Sequence, residues 1–458
     1  MANGLPTLIH SLAKSLSPTP SDNEIKQLAW SLGRNHPLPR LKKYLYLDVT
    51  ATCRNDLKTG IERVARALSL ALLASPPEGY RVEPVYLHYE NGKWLYRHAR
   101  RYTLELLGCP PEALNEDIAE PVAGDVLIGL DLSGDMLVEA ARFGLLEDMR
   151  NHGVNIYFIV YDLLPVRMPE VFPPNADEIH RRWLHTIATC DGAVCISKSV
   201  AHDLAHWLQE GGMQYEKRRA FKIGWFHLGA DISNSAPSLG MPPDAVKTLT
   251  SLRARPTFLM VGTIEPRKGY LQTLDAFDLL WRDGLDVNLV IVGHEGWKSL
   301  PDAMRRNIPQ TVSRLRGHPE SGKRLFWLEG ISDEYLEKVY AASTCLIAAS
   351  YDEGFGLPLM EAAQHKLPII ARDIPVFREV AEDRAYYFSD TRQPEVLADA
   401  LRDWLALYQQ GTHPRSDNMP WLTWRESAER LMKIVLEEWR LGTEKAWVGV
   451  SKGGQCAR

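Results

Sequence analysis

Cysteine is scarce in this sequence and never closely paired: the six thiols, at positions 53, 109, 190, 195, 345 and 456, include no Cys-x-x-Cys spacing. That excludes a disulfide framework or a thiolate zinc site as an organising device, and predicts reduced, mostly buried thiols of a cytoplasmic protein. No apolar run approaches the ~20 residues that a membrane-spanning helix needs. The opening Met1 to Pro6 lacks the cationic-then-apolar order of a secretory leader, so any membrane association is expected to be peripheral. There is no Asp-x-Asp pair to hold a divalent ion, so no metal or other cofactor is expected. No Gly-x-Ser-x-Gly elbow is present either, which leaves a serine-hydrolase reading unsupported. A net charge of -5 argues against a general nucleic-acid partner.

The composition is that of a globular protein, 45% hydrophobic and 24% charged, and 458 residues are too many for one ordinary core. Residues 1–43 read as a helical extension, with short helical patterns at Leu8 to Leu16 and Asn23 to Leu32. A first unit, 44–231, opens on the strand Tyr44 to Val49. A polar loop leads to Gly60 and a helix with Ile61, Val64, Ala65, Leu68 and Leu72 on one face. Further strands are predicted at Asp125 to Leu130, Ile156 to Val160 and Ala193 to Ile196. A Ser, Pro and Gly-rich stretch, 232–250, reads as a linker. The pattern then restarts over 251–415, with strands near 257–261, 287–292, 325–328, 344–349 and 367–371. Strands alternating with helices predict two parallel sheets, each covered on both faces, with ligand groups at the strands' carboxyl ends facing a cleft between the domains. Thr423-Trp-Arg-Glu426 is a capping-box pattern that opens a last helix within 416–458.

The most informative stretch is Ser350-Tyr-Asp-Glu-Gly-Phe-Gly-Leu-Pro-Leu-Met-Glu361. Strand, tight glycine loop and helix in that order bring free N–H groups of a helical first turn towards a ligand, and Glu353 and Glu361 flank them. Amides for a phosphate and a carboxylate for each of two sets of hydroxyls would suit a phosphate with a polyhydroxylated group on either side. A strand-helix connection with an incidental glutamate pair is the plainer alternative.

This paired-glutamate motif closely resembles that of the retaining GT-B glycosyltransferases, the large nucleotide-sugar family that includes bacterial lipopolysaccharide and O-antigen mannosyltransferases. The resemblance covers roughly residues 44 to 440. It implies an α/β fold of two Rossmann-like domains facing a central cleft, with the last helix crossing back to the first. It also implies transfer of a hexose, with retention and without a metal, from a nucleotide sugar to a glycan or lipid-linked glycan acceptor at the inner face of the cell membrane.

Val261-Gly-Thr-Ile-Glu-Pro-Arg-Lys-Gly269 also joins a strand to a helix and looks like the family's Glu-Pro-x-Lys-Gly loop. Two adjacent cations there suit a diphosphate leaving group. By resemblance Lys268 holds the diphosphate, Glu353 contacts the donor sugar and Glu361 binds the ribose hydroxyls. Gly354, Phe355, Gly356 and Leu357 supply loop amides. Thr263 stands where many relatives have an arginine, a departure for which Arg267 is the candidate compensation. Gly60, inside Lys58-Thr-Gly-Ile-Glu-Arg-Val64, matches a donor-phosphate glycine or else simply opens a helix. Asp162 follows Tyr161, which replaces the family's histidine; it is a catalytic candidate or a turn cap. Ile331, in Glu329-Gly-Ile-Ser-Asp333, lies in the loop that relatives place near the base, and Trp297 in Gly293 to Lys298 is an aromatic candidate with packing as its rival role. These segments together look like enzymes that use GDP-mannose or GDP-rhamnose. A UDP-sugar donor, a non-catalytic scaffold subunit and, with less resemblance, a GT-B epimerase are the alternatives.

Overall fold

A computed structural model of the 458-residue chain describes residues 21–35, 41–54, 60–211, 221–231 and 240–438. The expected helix at Leu8 to Leu16 and the tail beyond 438 lie outside these. The first domain is a seven-stranded sheet: β1 (Lys43–Asp48), β2 (Tyr80–Glu90), β3 (Lys93–His98), β4 (Val126–Gly129), β5 (Asn155–Val160), β6 (Gly192–Cys195) and β7 (Lys222–Trp225). Its spatial order is β3-β2-β1-β4-β5-β6-β7, parallel throughout except that β3 turns back on β2. The second is a six-stranded parallel sheet: β8 (Thr257–Val261), β9 (Asn288–Val292), β10 (Leu325–Leu328), β11 (Cys345–Ala348), β12 (Ile369–Arg372) and β13 (Tyr386–Phe388), in the order β10-β9-β8-β11-β12-β13.

The central strands carry the burial expected of parallel sheets covered on both faces. Ile156 to Val160 of β5 and all of β9 are buried on both sides. Helices pack on those faces through regular stripes. On Gly60–Ala74 the stripe is Val64, Ala65, Leu68 and Leu72, and each fully buried Leu or Val contributes ~1.5–3 kcal/mol.

Five features depart from the sequence expectations. The β2–β3 hairpin, β7 and β13 were not anticipated. The hairpin turns at Asn91-Gly92, both at positive φ (50° and 77°), the conformation that a tight two-residue turn requires. The polar loop after β1 begins with a short helix, Thr50–Arg54, and the second half of the expected linker is the helix Ala245–Arg253. Its Ala245, Leu249 and Leu252 recur at helical spacing and are buried, which decides against a free connection.

The C-terminal segment returns to the first domain. The Ala230 N–H donates to the Leu422 carbonyl at 2.8 Å, and the Trp424 N–H to Asp231 Oδ1 at 2.7 Å. A side chain at Gly229 would stand 2.5 Å from the Trp424 nitrogen, so only glycine admits this crossing. Thr423 and Glu426 form the expected capping box on the helix Trp424–Met432, which packs against Gly60–Ala74 and continues in wider π-type turns to Glu438. At the other end, the helix Asp22–Asn35 touches the first domain where Ser31 Oγ meets His152 Nε2 at 3.1 Å.

Candidate donor site at the domain junction

β8 and β11 are neighbours at the centre of the second sheet, so the loops that leave their carboxyl ends lie side by side. The Tyr351 N–H donates to the Arg267 carbonyl at 2.8 Å, joining the two loops through backbone. Gly269, at φ 74°, turns the first loop into the helix Tyr270–Arg282. A β-carbon there would come within 2.4 Å of the Ala349 carbonyl oxygen, so the glycine permits both the turn and the contact.

Glu353 lies at the focus. Its carboxylate accepts from Arg267 Nη1 at 2.8 Å, from Ser350 Oγ at 2.7 Å and from Lys268 Nζ at short range. Arg267 is paired as well with Glu265 at 3.1 Å. Burial pushes the Glu353 carboxyl up, but the Arg267 and Lys268 charges and the hydrogen bonds from Lys268 and Ser350 more than reverse this, holding it at about 2. For Arg267 burial again opposes the charged form, and Glu353 and Glu265 outweigh it. Glu353 does not lie open in the cleft: its side chain is only 11% exposed, because both cations fold over it. The cavity bounded by Lys268, Tyr270, Ser350, Glu353 and Phe377 holds ≈ 20 Å³, room for a water and far below what a nucleotide sugar occupies.

Glu361 is also buried, at 2% exposure. It lies on the helix Leu357–Gln364, where Tyr340 Oη donates to its Oε2 at 2.6 Å and Arg63 Nη1 of the first domain to its Oε1 at 2.8 Å. Gly356, at φ 89°, caps this helix, with Leu357 and Pro358 in the first turn. Phe355 is buried against His227, their rings 5.3 Å apart.

Gly354 serves a purpose that the sequence did not disclose. A β-carbon there would lie 2.0 Å from the Tyr161 carbonyl oxygen, and the Gly354 carbonyl accepts from Ser197 Oγ at 2.7 Å. The glycine admits the first domain's backbone. Beside it Glu379 of the second domain accepts from the Lys198 and Ser199 N–H groups at 2.7 and 2.8 Å, at the start of the first-domain helix Lys198–Glu210. The same carboxylate bonds His227 Nε2 at 2.8 Å.

The other sequence candidates lie around this centre. Asp162 caps a turn, its Oδ1 accepting from the Leu164 N–H at 3.0 Å, and its charge also acts on Arg267. Thr263 is half-buried after Gly262, whose carbonyl accepts from Tyr270 Oη at 2.5 Å. Ile331 precedes Ser332, the cap of the helix Asp333–Ala342. Trp297 packs across the cleft, 6.1 Å from the Phe172 ring, and Arg306 Nε donates to the Phe172 carbonyl at 2.5 Å. Gly60 is exposed at its helix start, with nothing within 4 Å of a would-be β-carbon, while its neighbours Lys58 and Thr59 fall outside the described residues.

Sequence reasoning missed Arg372, which ends β12 fully buried. Its guanidinium donates to the Ala349 and Ser350 carbonyls and to Gln272 Oε1, and lies 4.7 Å from the Tyr351 ring, so it fixes the root of the Glu353 loop. Its only signal was a cation at the end of an apolar strand. Among the described residues no group of three or more His, Cys, Asp or Glu is placed to hold a metal ion, and no helix is long and apolar enough to cross a membrane. None of the five described cysteines is in a disulfide.

Residues 247–416 match the family described as glycosyl transferases group 1. The chain is 44% identical over 410 residues to the serotype-specific mannosyltransferase WbdA of Escherichia coli, covering 89% of this chain and 48% of that protein. It thus spans about half the length of the curated relatives that it matches most extensively. It is also 30% identical over 129 residues to the O-antigen chain mannosyltransferase B of Escherichia coli, covering 27% of this chain and 30% of that one. Among solved structures it resembles the sucrose-phosphate synthase of Thermosynechococcus elongatus (TM-score 0.57, 17% identity, 87% of this chain and 100% of that one). Anabaena HepE in complex with UDP and glucose is similar too (TM-score 0.56, 14% identity, 86% and 100%). Residues 247–416 are thus a group 1 glycosyltransferase domain, and the chain as a whole has the two-domain fold of those solved structures.

Proposed function

We propose that the chain transfers mannose from GDP-mannose to a growing O-antigen glycan, with retention at the anomeric carbon and without a metal ion. The carrying observation is the 44% identity to a serotype-specific mannosyltransferase over 89% of the chain. In this reading Arg267 and Lys268 exchange part of their pairing with Glu353 for the donor diphosphate and neutralise the charge that builds on it as it leaves. Glu353, released towards the sugar, orients it and favours the positive charge developing at the anomeric carbon. Glu361 accepts from the ribose hydroxyls, the loop amides from Gly354 to Leu357 hold the sugar and phosphates, and Ile331 lies beside the base. Asp162, from the first domain, faces the acceptor side. A lipid-linked acceptor would place the protein at the cytoplasmic membrane face.

The test is a thermal-shift screen of the purified protein against GDP-, UDP-, ADP- and dTDP-sugars, since a ligand of the native state raises its apparent stability. It is followed by transfer to mannoside acceptors with the product anomer read by NMR. Stabilisation by GDP-mannose and an α-mannosyl product are expected. Response to UDP-sugars alone, or an inverted product, overturns the donor or the stereochemical assignment.

A further inference from the structure

Arg63 has no part in the reading above, yet it reaches the same site from the other domain. It stands on Gly60–Ala74 of the first domain, and its Nη1 donates to Oε1 of Glu361, 298 positions later, at 2.8 Å. The second oxygen of Glu361 is held by Tyr340, whose ring lies flat on His365 at 5.0 Å and 7°. Burial disfavours the Arg63 charge, but Glu361, then Asp333, which opens the helix that carries Tyr340, and Tyr340 itself reverse this and strengthen it. A guanidinium has five N–H donors. The Arg63 Nε is buried and meets no acceptor among the described residues. A buried charged donor without an acceptor is costly unless something supplies one.

We propose that Arg63 is a positioning residue of the donor site, contributed by the first domain: it keeps Glu361 aimed and neutralised, and turns its remaining N–H groups to the sugar-phosphate oxygens of a bound nucleoside diphosphate. The proposal rests on the donor reading of the site. Its physical basis is charge. A buried carboxylate alone would repel a ligand carrying two phosphates, whereas a carboxylate already paired with a guanidinium can accept ribose hydroxyls without that penalty. Because Arg63 and Glu361 belong to different domains, nucleotide is held tightly only while the two are together.

The test compares Arg63→Ala and Arg63→Lys, each in the parent protein and with Glu361→Gln. GDP affinity is measured by calorimetry, and KM and kcat with GDP-mannose. Arg63→Ala is expected to raise the GDP Kd and the donor KM about tenfold to a hundredfold, the range for a lost charged hydrogen bond, with kcat nearly unchanged. Lys should recover part of the loss, and the Arg63 effect should shrink in the Glu361→Gln background. Arg63 is part-exposed on its helix; should the Ala variant not fold, the Lys variant carries the comparison, with a smaller rise in the same direction. Unchanged GDP binding overturns the proposal, and tighter binding does so too, by showing that Arg63 plugs the ribose position. If the parent protein binds none of GDP, UDP, ADP or dTDP, the donor reading falls and this inference with it; parent binding that is indifferent to Arg63 removes this inference alone.

Discussion

Replacing Glu353 by Gln removes one charge from the centre of a compact set and keeps its shape. The carboxyl is held at about 2 against an ordinary 4.5, and at roughly 1.4 kcal/mol per unit the ionised form contributes about 3 kcal/mol to folding. Because the folded value is depressed, that contribution is fully present above about pH 4.5 and is lost as pH falls towards 2. Glu353→Gln should thus melt roughly 6–12 °C below the parent at pH 7, taking about 2–4 °C per kcal/mol for domains of this size. The gap should close as both are acidified from pH 5 towards 3. In turnover with GDP-mannose the variant should lose on the order of a hundredfold, as for removal of one preorganised electrostatic group, with a much smaller change in GDP affinity. Calorimetric melts across pH, with turnover and GDP titrations on the folded variant, check all of this. An unchanged melt, or a gap that does not narrow in acid, refutes the ion-pair argument. Near-normal turnover in a folded variant refutes the catalytic one.

Gly354→Ala should separate the domains locally, lowering the melting temperature and donor affinity together, since its β-carbon would fall 2.0 Å from the Tyr161 oxygen. Gly60→Ala has open space and should leave the fold unchanged or up to about 1 kcal/mol more stable; a lower melt would show that the glycine is needed by the chain itself. Burial and the Asp48 charge raise the Asp131 carboxyl to about 7, so the stability it carries is complete below about pH 4 and lost as pH rises through 7. Asp131→Asn should accordingly melt above the parent at pH 8, with the gain fading towards pH 5, and a gain that grows in acid would contradict this. Transfer should proceed fully in excess EDTA, with Arg267 and Lys268 as the counter-charge; a strict requirement for magnesium or manganese would refute that role.

The sequence was legible wherever local pattern and tertiary demand coincide. Apolar strands buried on both faces, the glycine turn before Leu357 and the Thr423 capping box each announce themselves within a few residues. The Asn91-Gly92 turn carries a hairpin signal, but β2 mixes Arg81, Glu83 and His88 into an edge-side strand, which hides its alternation. What could not be read is pairing over long separations. Nothing near Glu353 says that it will be enclosed by two cations, and nothing near Arg63, Arg372 or Glu379 says which carboxylate, carbonyl or helix end each will meet. Gly354 shows the limit most plainly: its local signature is that of a ligand loop, and its closest constraint is a carbonyl from the other domain.

The return of residues 422–438 to the first domain has a consequence for how this unit can be cut or joined. The first domain is completed by a segment that the chain reaches only after the second domain has been made. Cleaving at the linker would therefore give two unequal products: a second domain with its sheet intact, and a first domain missing the helix that packs against Gly60–Ala74. Conversely, β1 and the crossing segment lie on the same body, so in chain order the second domain is an insertion between two parts of the first.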